Sequence, residues 1–209
     1  MNGSGLEMTP ATAILKPGIT LYLIRHGETD WNAEARYQGQ ADIPMNDTGR
    51  AQARANGAAL RTLLPAIAKA DFVASPLSRA IETMELLRIE LGLPKSGFRQ
   101  DRELLELNYG HWEGRLAADL ILADPEGVAG KAADPFGWRP RGGESYADLM
   151  QRIAPWISSL SRDTVAVTHG GVSRVARGAI LGLDKSLVPF LDVPQDKTLV
   201  LRGRTMAWI

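Results

Sequence analysis

ITLYLIRHGET, residues 19–29, runs an almost wholly apolar stretch directly into an Arg-His pair and a glycine. Ile19, Leu21, Tyr22, Leu23 and Ile24 leave little alternation, as expected of a strand covered on both faces in a parallel sheet flanked by helices. Such sheets bind ligands beyond the carboxyl ends of their strands. Arg25 and His26 are therefore expected at a site.

A second stretch repeats the arrangement. Thr164 to Thr168 is a continuous apolar strand that runs into His169-Gly170-Gly171, with Val172, Val175, Ala176, Ala179, Ile180 and Leu183 marking the helix that follows. Between the two, Asp71 to Ser75 reads as a short strand. Leu77, Ala80, Ile81, Met84, Leu87 and Leu91 keep helical spacing up to the stop at Gly92 and Pro94. Asp47 or Thr48 is expected to cap a helix reaching about Leu64, with Pro65 fraying or kinking its end. Trp31 to Met45 reads as a loop over the first strand end. Arg99 to Glu113 reads as a short strand and then a loop, and Leu116 to Leu122 as a helix.

Residues 124–143 form a Gly-, Pro-, Arg- and Trp-rich excursion, too short to separate two domains. From Ser145 a clean helical face follows, with Pro155 as a kink. The tail, Lys197 to Ile209, reads as two short strands around Gly203. Strands alternating with helices give an α/β fold, a three-layer sandwich with a mainly parallel central sheet flanked by helices and an antiparallel edge from the C-terminal hairpin. Residues 1–17 are expected to be a flexible leader and 18–209 a single domain.

Composition narrows the function. The 209 residues contain 24 basic and 24 acidic side chains, a formal net charge of zero, so neither nucleic acid nor a membrane surface is an expected partner. With no cysteine, disulfides, thiolate metal sites and cysteine nucleophiles are excluded. The N-terminus lacks a basic start followed by an apolar core, and no apolar run reaches the roughly 20 residues of a membrane helix, so a cytoplasmic setting is expected.

Of three histidines, His26 and His169 each follow an apolar strand and precede a glycine. In a parallel sheet both would lie at one edge. Arg79, in the first turn of the helix after SPLSR, opposes the helix dipole, which makes sense if an anion sits between it and the N-terminal amides. Glu106 is embedded among leucines, whose desolvation would raise its pKa and keep it protonated often enough to act as an acid. HExxH, GxxxxGK[ST] and GxSxG are absent.

RHGET at Arg25 to Thr29, SPLSRA at Ser75 to Ala80, LLELNYGHWEG at Leu104 to Gly114 and THGG at Thr168 to Gly171 together resemble the histidine phosphatase, or phosphoglycerate mutase-like, superfamily. The resemblance spans roughly Ile19 to Leu183. It implies that His26 accepts the phosphoryl group as a phosphohistidine, that Arg25, Arg79 and His169 hold its oxygens, and that Glu106 donates the proton. Asn32 and Gln38 resemble residues that add hydrogen bonds to the phosphate, and Gly170 of THGG joins them on the substrate side.

Phosphoryl transfer asks mainly for an in-line nucleophile and positive charge around the equatorial oxygens. These side chains supply both without a metal or other cofactor. The expected activity is metal-independent hydrolysis of a small phosphorylated metabolite. The alternatives are mutase-type transfer, a catalytically silent phospho-ligand binding protein, and a metal site built from His26, His169 and Glu106. His111 departs from the family pattern and reads as a loop residue near the mouth. The 124–143 segment, with Trp138, Arg139 and Arg141, is expected either to form the lid that chooses the leaving group or to be a solvated basic loop. Oligomeric state stays open.

Overall fold

The computed structural model describes residues 15–63 and 66–209. Six strands form one sheet: β1 (Thr20–Arg25), β2 (Asp71–Ala74), β3 (Arg99–Gln100), β4 (Thr164–Thr168), β5 (Thr198–Arg202) and β6 (Thr205–Trp208). Their spatial order is β3-β2-β4-β1-β5-β6. β1–β4, β2–β4 and β2–β3 pair parallel, while β1–β5 and β5–β6 pair antiparallel, so the C-terminal hairpin supplies the edge as expected.

The apolar strands are explained by burial on both faces. Leu21 and Leu23 of β1, with Ala166 of β4, enter one core. Tyr22 and Ile24, with Val165 and Val167, enter the other. Seven α-helices cover the described chain: α1 (Asp30–Ala33), α2 (Asp47–Arg61), α3 (Ser78–Glu90), α4 (Ala117–Ala123), α5 (Pro125–Ala133), α6 (Tyr146–Ser159) and α7 (Gly170–Leu181). α2 packs on α3 and α6 on α7, giving the two outer layers. None of these helices is long and apolar enough to cross a membrane.

Several local expectations are corrected. The cap of α2 is Asn46, whose side chain accepts from the Gly49 amide at 2.9 Å, one residue before Asp47. Leu64 and Pro65, expected at its end, lie outside the described residues. So do residues 1–14 of the expected leader, whereas Leu15 is buried in the core, three residues before the expected domain boundary. α6 starts on a Ser145–Asp148 capping box and runs on through Pro155 to Ser159. The 124–143 excursion contains α5, which starts on Asp124 as cap and Pro125 at its first position.

Candidate active site

The register of β1 against β4 places Arg25 opposite Thr168, so the residues that follow, His26 and His169, emerge side by side. The His26 amide donates to the Thr168 carbonyl at 2.9 Å, and the two imidazole centroids are 5.1 Å apart. Gly27 is required here: a Cβ would run into the backbone of Gly49, where α2 begins.

His26 is 3% exposed, and its hydrogen bonds assign its tautomer. Nδ1–H donates to the Gly27 carbonyl at 2.7 Å, and Nε2, with its lone pair, accepts from Arg79 Nε at 3.2 Å. Burial, reinforced by Arg79 and Arg25, holds the imidazole well below its ordinary titration range. A neutral ring with Nε2 facing a cation is a nucleophile that needs no prior deprotonation.

Arg79 is fully buried and anchored by Gly39 O and Ala41 O, each at 2.7 Å. Burial lowers its guanidinium to about 10, against the attraction of Glu106, Asp42 and Glu113, and it stays cationic at neutral pH. The network orients the Gln38 amide to donate to Thr29 Oγ1 at 2.5 Å and accept from Arg79, at 3.2 Å from Nη1 and at 2.8 Å from Nε, whose single N–H it shares with His26 Nε2. Gln38 thus holds Arg79. The expected role for the amides of α3 is corrected in part, because Ser78 N is already bound to Asp42 Oδ1 at 2.8 Å.

Arg25 donates from Nη1 to Val193 O at 3.0 Å, while its Nε is buried without a partner. His169, fully buried, has Nε2 on Ser75 Oγ at 2.8 Å, and burial followed by the charge of Arg79 keeps it neutral. Glu106 is half-buried. Its oxygens accept from the Leu107 amide at 2.8 Å and the Gly171 amide at 3.0 Å, and a Cβ on Gly171 would lie 2.5 Å from Oε1. That glycine lets the carboxyl seat against the start of α7.

These groups line one cavity of about 130 Å³ that includes Arg25, His26, Asn32, Arg79, Glu106 and Gly170. His169 is not on its surface but packs behind His26. Among the described residues no group of three His, Asp or Glu side chains is placed to hold a metal ion, so His26, His169 and Glu106 do not form such a set. What the arrangement can do is bind a compact polyanion against two guanidinium groups, present a lone pair to it, and offer a carboxyl in the same cavity.

Some contributors have weak signals in the sequence. Gln195 donates to His26 O at 3.0 Å and Asn32 Oδ1 at 3.2 Å from 169 and 163 positions away, with no local pattern to mark it. Arg174 lines the cavity as well, and its position one helical turn after Gly170 is a usable signal. His111 instead hydrogen-bonds Asp124 Oδ2 at 2.8 Å and lines a separate recess with Trp138, Arg139 and Arg141.

The described fold agrees with comparisons to known proteins. Residues 21–205 match the family model described as histidine phosphatase superfamily (branch 1). A glucosyl-3-phosphoglycerate phosphatase of Mycolicibacterium vanbaalenii is 34% identical over 200 residues, covering 90% of this chain and 85% of that one. An adenosylcobalamin/alpha-ribazole phosphatase of Escherichia coli is 32% identical, covering 78% and 79%. A mycobacterial glucosyl-3-phosphoglycerate phosphatase solved with VO3 superimposes with a TM-score of 0.76 at 29% identity, covering 92% and 97%.

Proposed function

The chain belongs to the histidine phosphatase superfamily, and on that premise we propose that it is a phosphomonoesterase that hydrolyses a small phosphorylated metabolite through a phosphohistidine on His26. The observation that carries the reading is the tautomer of His26, with Nδ1–H held by Gly27 O and the Nε2 lone pair facing Arg79 in the cavity.

In the first step Nε2 attacks phosphorus as the ester P–O bond breaks, and Glu106, entering as the carboxylic acid, protonates the leaving alkoxide. Arg25 and Arg79 stabilise the equatorial oxygens, and their planar forks suit a phosphoryl group better than point charges would. Nδ1–H stays on Gly27 O, which offsets the charge the ring acquires. In the second step water attacks phosphorus, the N–P bond breaks, and the Glu106 carboxylate takes the water proton. Asn32, Gln38 and Gly170 line the same cavity as hydrogen-bonding candidates for the phosphate, and Gln38 also orients Arg79. Each of these steps uses side chains and water alone, so activity is expected to survive chelation with EDTA.

The test is phosphate release from p-nitrophenyl phosphate together with trapping of labelled phosphoenzyme. His26→Ala is expected to lose turnover by at least about 1,000-fold and all trapped label, with its thermal unfolding still cooperative. Retained turnover in that variant would overturn the mechanism. Isomerisation of 3-phosphoglycerate with 2,3-bisphosphoglycerate present, running far faster than phosphate release, would replace it with a mutase.

A further inference from the structure

We infer that the leaving group of the substrate is an alcohol with an apolar, ring-sized body, held in a recess between α4, α5 and the turn at Val188–Phe190; the inference rests on the phosphatase reading above. The recess has a volume of about 680 Å³, within the roughly 300–1,000 Å³ typical of small-molecule sites. The phosphoryl cavity, at about 130 Å³, holds only a few water volumes of roughly 30 Å³ each. Whatever the phosphate is attached to must therefore extend beyond it.

Two openings adjoin that cavity, and the position of the acid selects between them. A Cβ built on Gly170 would lie 3.3 Å from Arg174 Nη1 and 3.8 Å from Glu106 Oε2, so the two groups flank one spot. Arg174 and Tyr109 line both the phosphoryl cavity and the 680 Å³ recess. The other opening, about 410 Å³ and lined by Arg25, Glu28, Asn32, Arg36 and Gln195, touches neither of them. The leaving oxygen must face the acid that protonates it, which points the leaving group toward Arg174 and Tyr109.

The walls then select its chemistry. Trp112, Leu120, Ile121, Val128 and Phe190 present apolar surface, and no carboxylate lines the recess. Lys131 Nζ gives one of its three N–H groups to Tyr37 Oη at 2.7 Å and lies 4.7 Å and 5.5 Å from the centroids of Tyr37 and Trp112. Arg174 Nε is held by Leu191 O at 2.8 Å. A polyhydroxylated body would find partners only on the side of Tyr37, Tyr109, Tyr146, Lys131 and Arg174 and would set its other hydroxyls against the apolar wall, and an amine would meet two cations. An apolar ring would also cover Ile121 and Phe190, which are 60% and 70% exposed at the rim.

The experiment compares kcat/KM on 2-phenylethyl phosphate and glycerol 3-phosphate, two alkyl esters that differ in the body of the alcohol, alongside p-nitrophenyl phosphate. The aryl-alkyl ester is expected to be favoured about 100-fold, the scale of one buried ring. The double variant Ile121→Asp/Phe190→Asp, at two exposed positions, should reduce that ratio at least about 10-fold. A wild-type ratio near one or below overturns the apolar body while leaving the phosphatase reading intact. A high ratio unmoved by the double variant overturns the assignment to this recess. No phosphate from any of the three esters overturns the phosphatase reading itself.

Discussion

His26, Arg79 and His169 are 3%, 0% and 0% exposed, whereas Ile121 and Phe190, on the wall a short distance away, are 60% and 70% exposed. The first group sits where two central strands and α3 meet, and most of its polar atoms are tied to backbone carbonyls or to one another. The second sits on a seven-residue helix and a single turn of 3-10 helix. Phosphoryl transfer depends on fixed geometry at one phosphorus atom, so its donors belong on the rigid, buried layer. A leaving group is recognised by surface and shape, which short elements at the rim can supply and vary without disturbing the sheet.

The comparison is tested most severely at Arg79. Replacing it with alanine is expected to lower turnover of p-nitrophenyl phosphate by about 100- to 1,000-fold, the range for loss of one charge-stabilising donor. Arg79→Lys should recover little, because a single ammonium cannot hold Gly39 O and Ala41 O while facing His26 Nε2. Near-wild-type turnover in the lysine variant would show that charge alone is enough there.

Next comes the pH dependence of stability. Both histidines are held in the folded protein well below their ordinary value of 6.5, so below that pH the unfolded chain binds protons that the folded chain does not. Stability is therefore expected to fall as pH drops below 6.5, by up to about 1.4 kcal/mol per pH unit for each histidine. Urea unfolding at pH 7 and pH 5.5 measures it, and His169→Gln should flatten the dependence by one histidine's share. An unchanged slope in that variant would mean His169 is not held neutral.

The smallest effect belongs to the wall. Ile121→Ala should change unfolding free energy by less than about 0.5 kcal/mol, as for exposed positions generally. A chemical-denaturation shift above 1 kcal/mol would show that the rim is part of the core after all.

How legible each region was in the sequence follows the same division. Apolar runs ending in Arg-His-Gly and Thr-His-Gly marked the two strand ends because burial on both faces removes polar alternation. Arg79 and Glu106 were marked by their motifs, but the contacts around them were not: Gln38 lines the phosphoryl cavity and also faces Arg79, and Gln195 reaches His26 from a distant loop. α5 is not among the helices expected from the sequence, although Asp124 and Pro125 are good start signals, because Gly127, Ala129 and Gly130 obscure its period. His111, expected near the mouth, is taken up by Asp124 instead.

The sequence by itself determined the sheet, the outer helices and the two strand ends that carry His26 and His169, because hydrophobic periodicity and short motifs are local in the chain. Only the tertiary structure decided which nitrogen of His26 carries the lone pair, what orients Arg79, and which of two openings shares Arg174 and Tyr109 with the phosphoryl cavity. Those depend on hydrogen bonds and close approaches between residues far apart in the chain, and no local pattern encodes them.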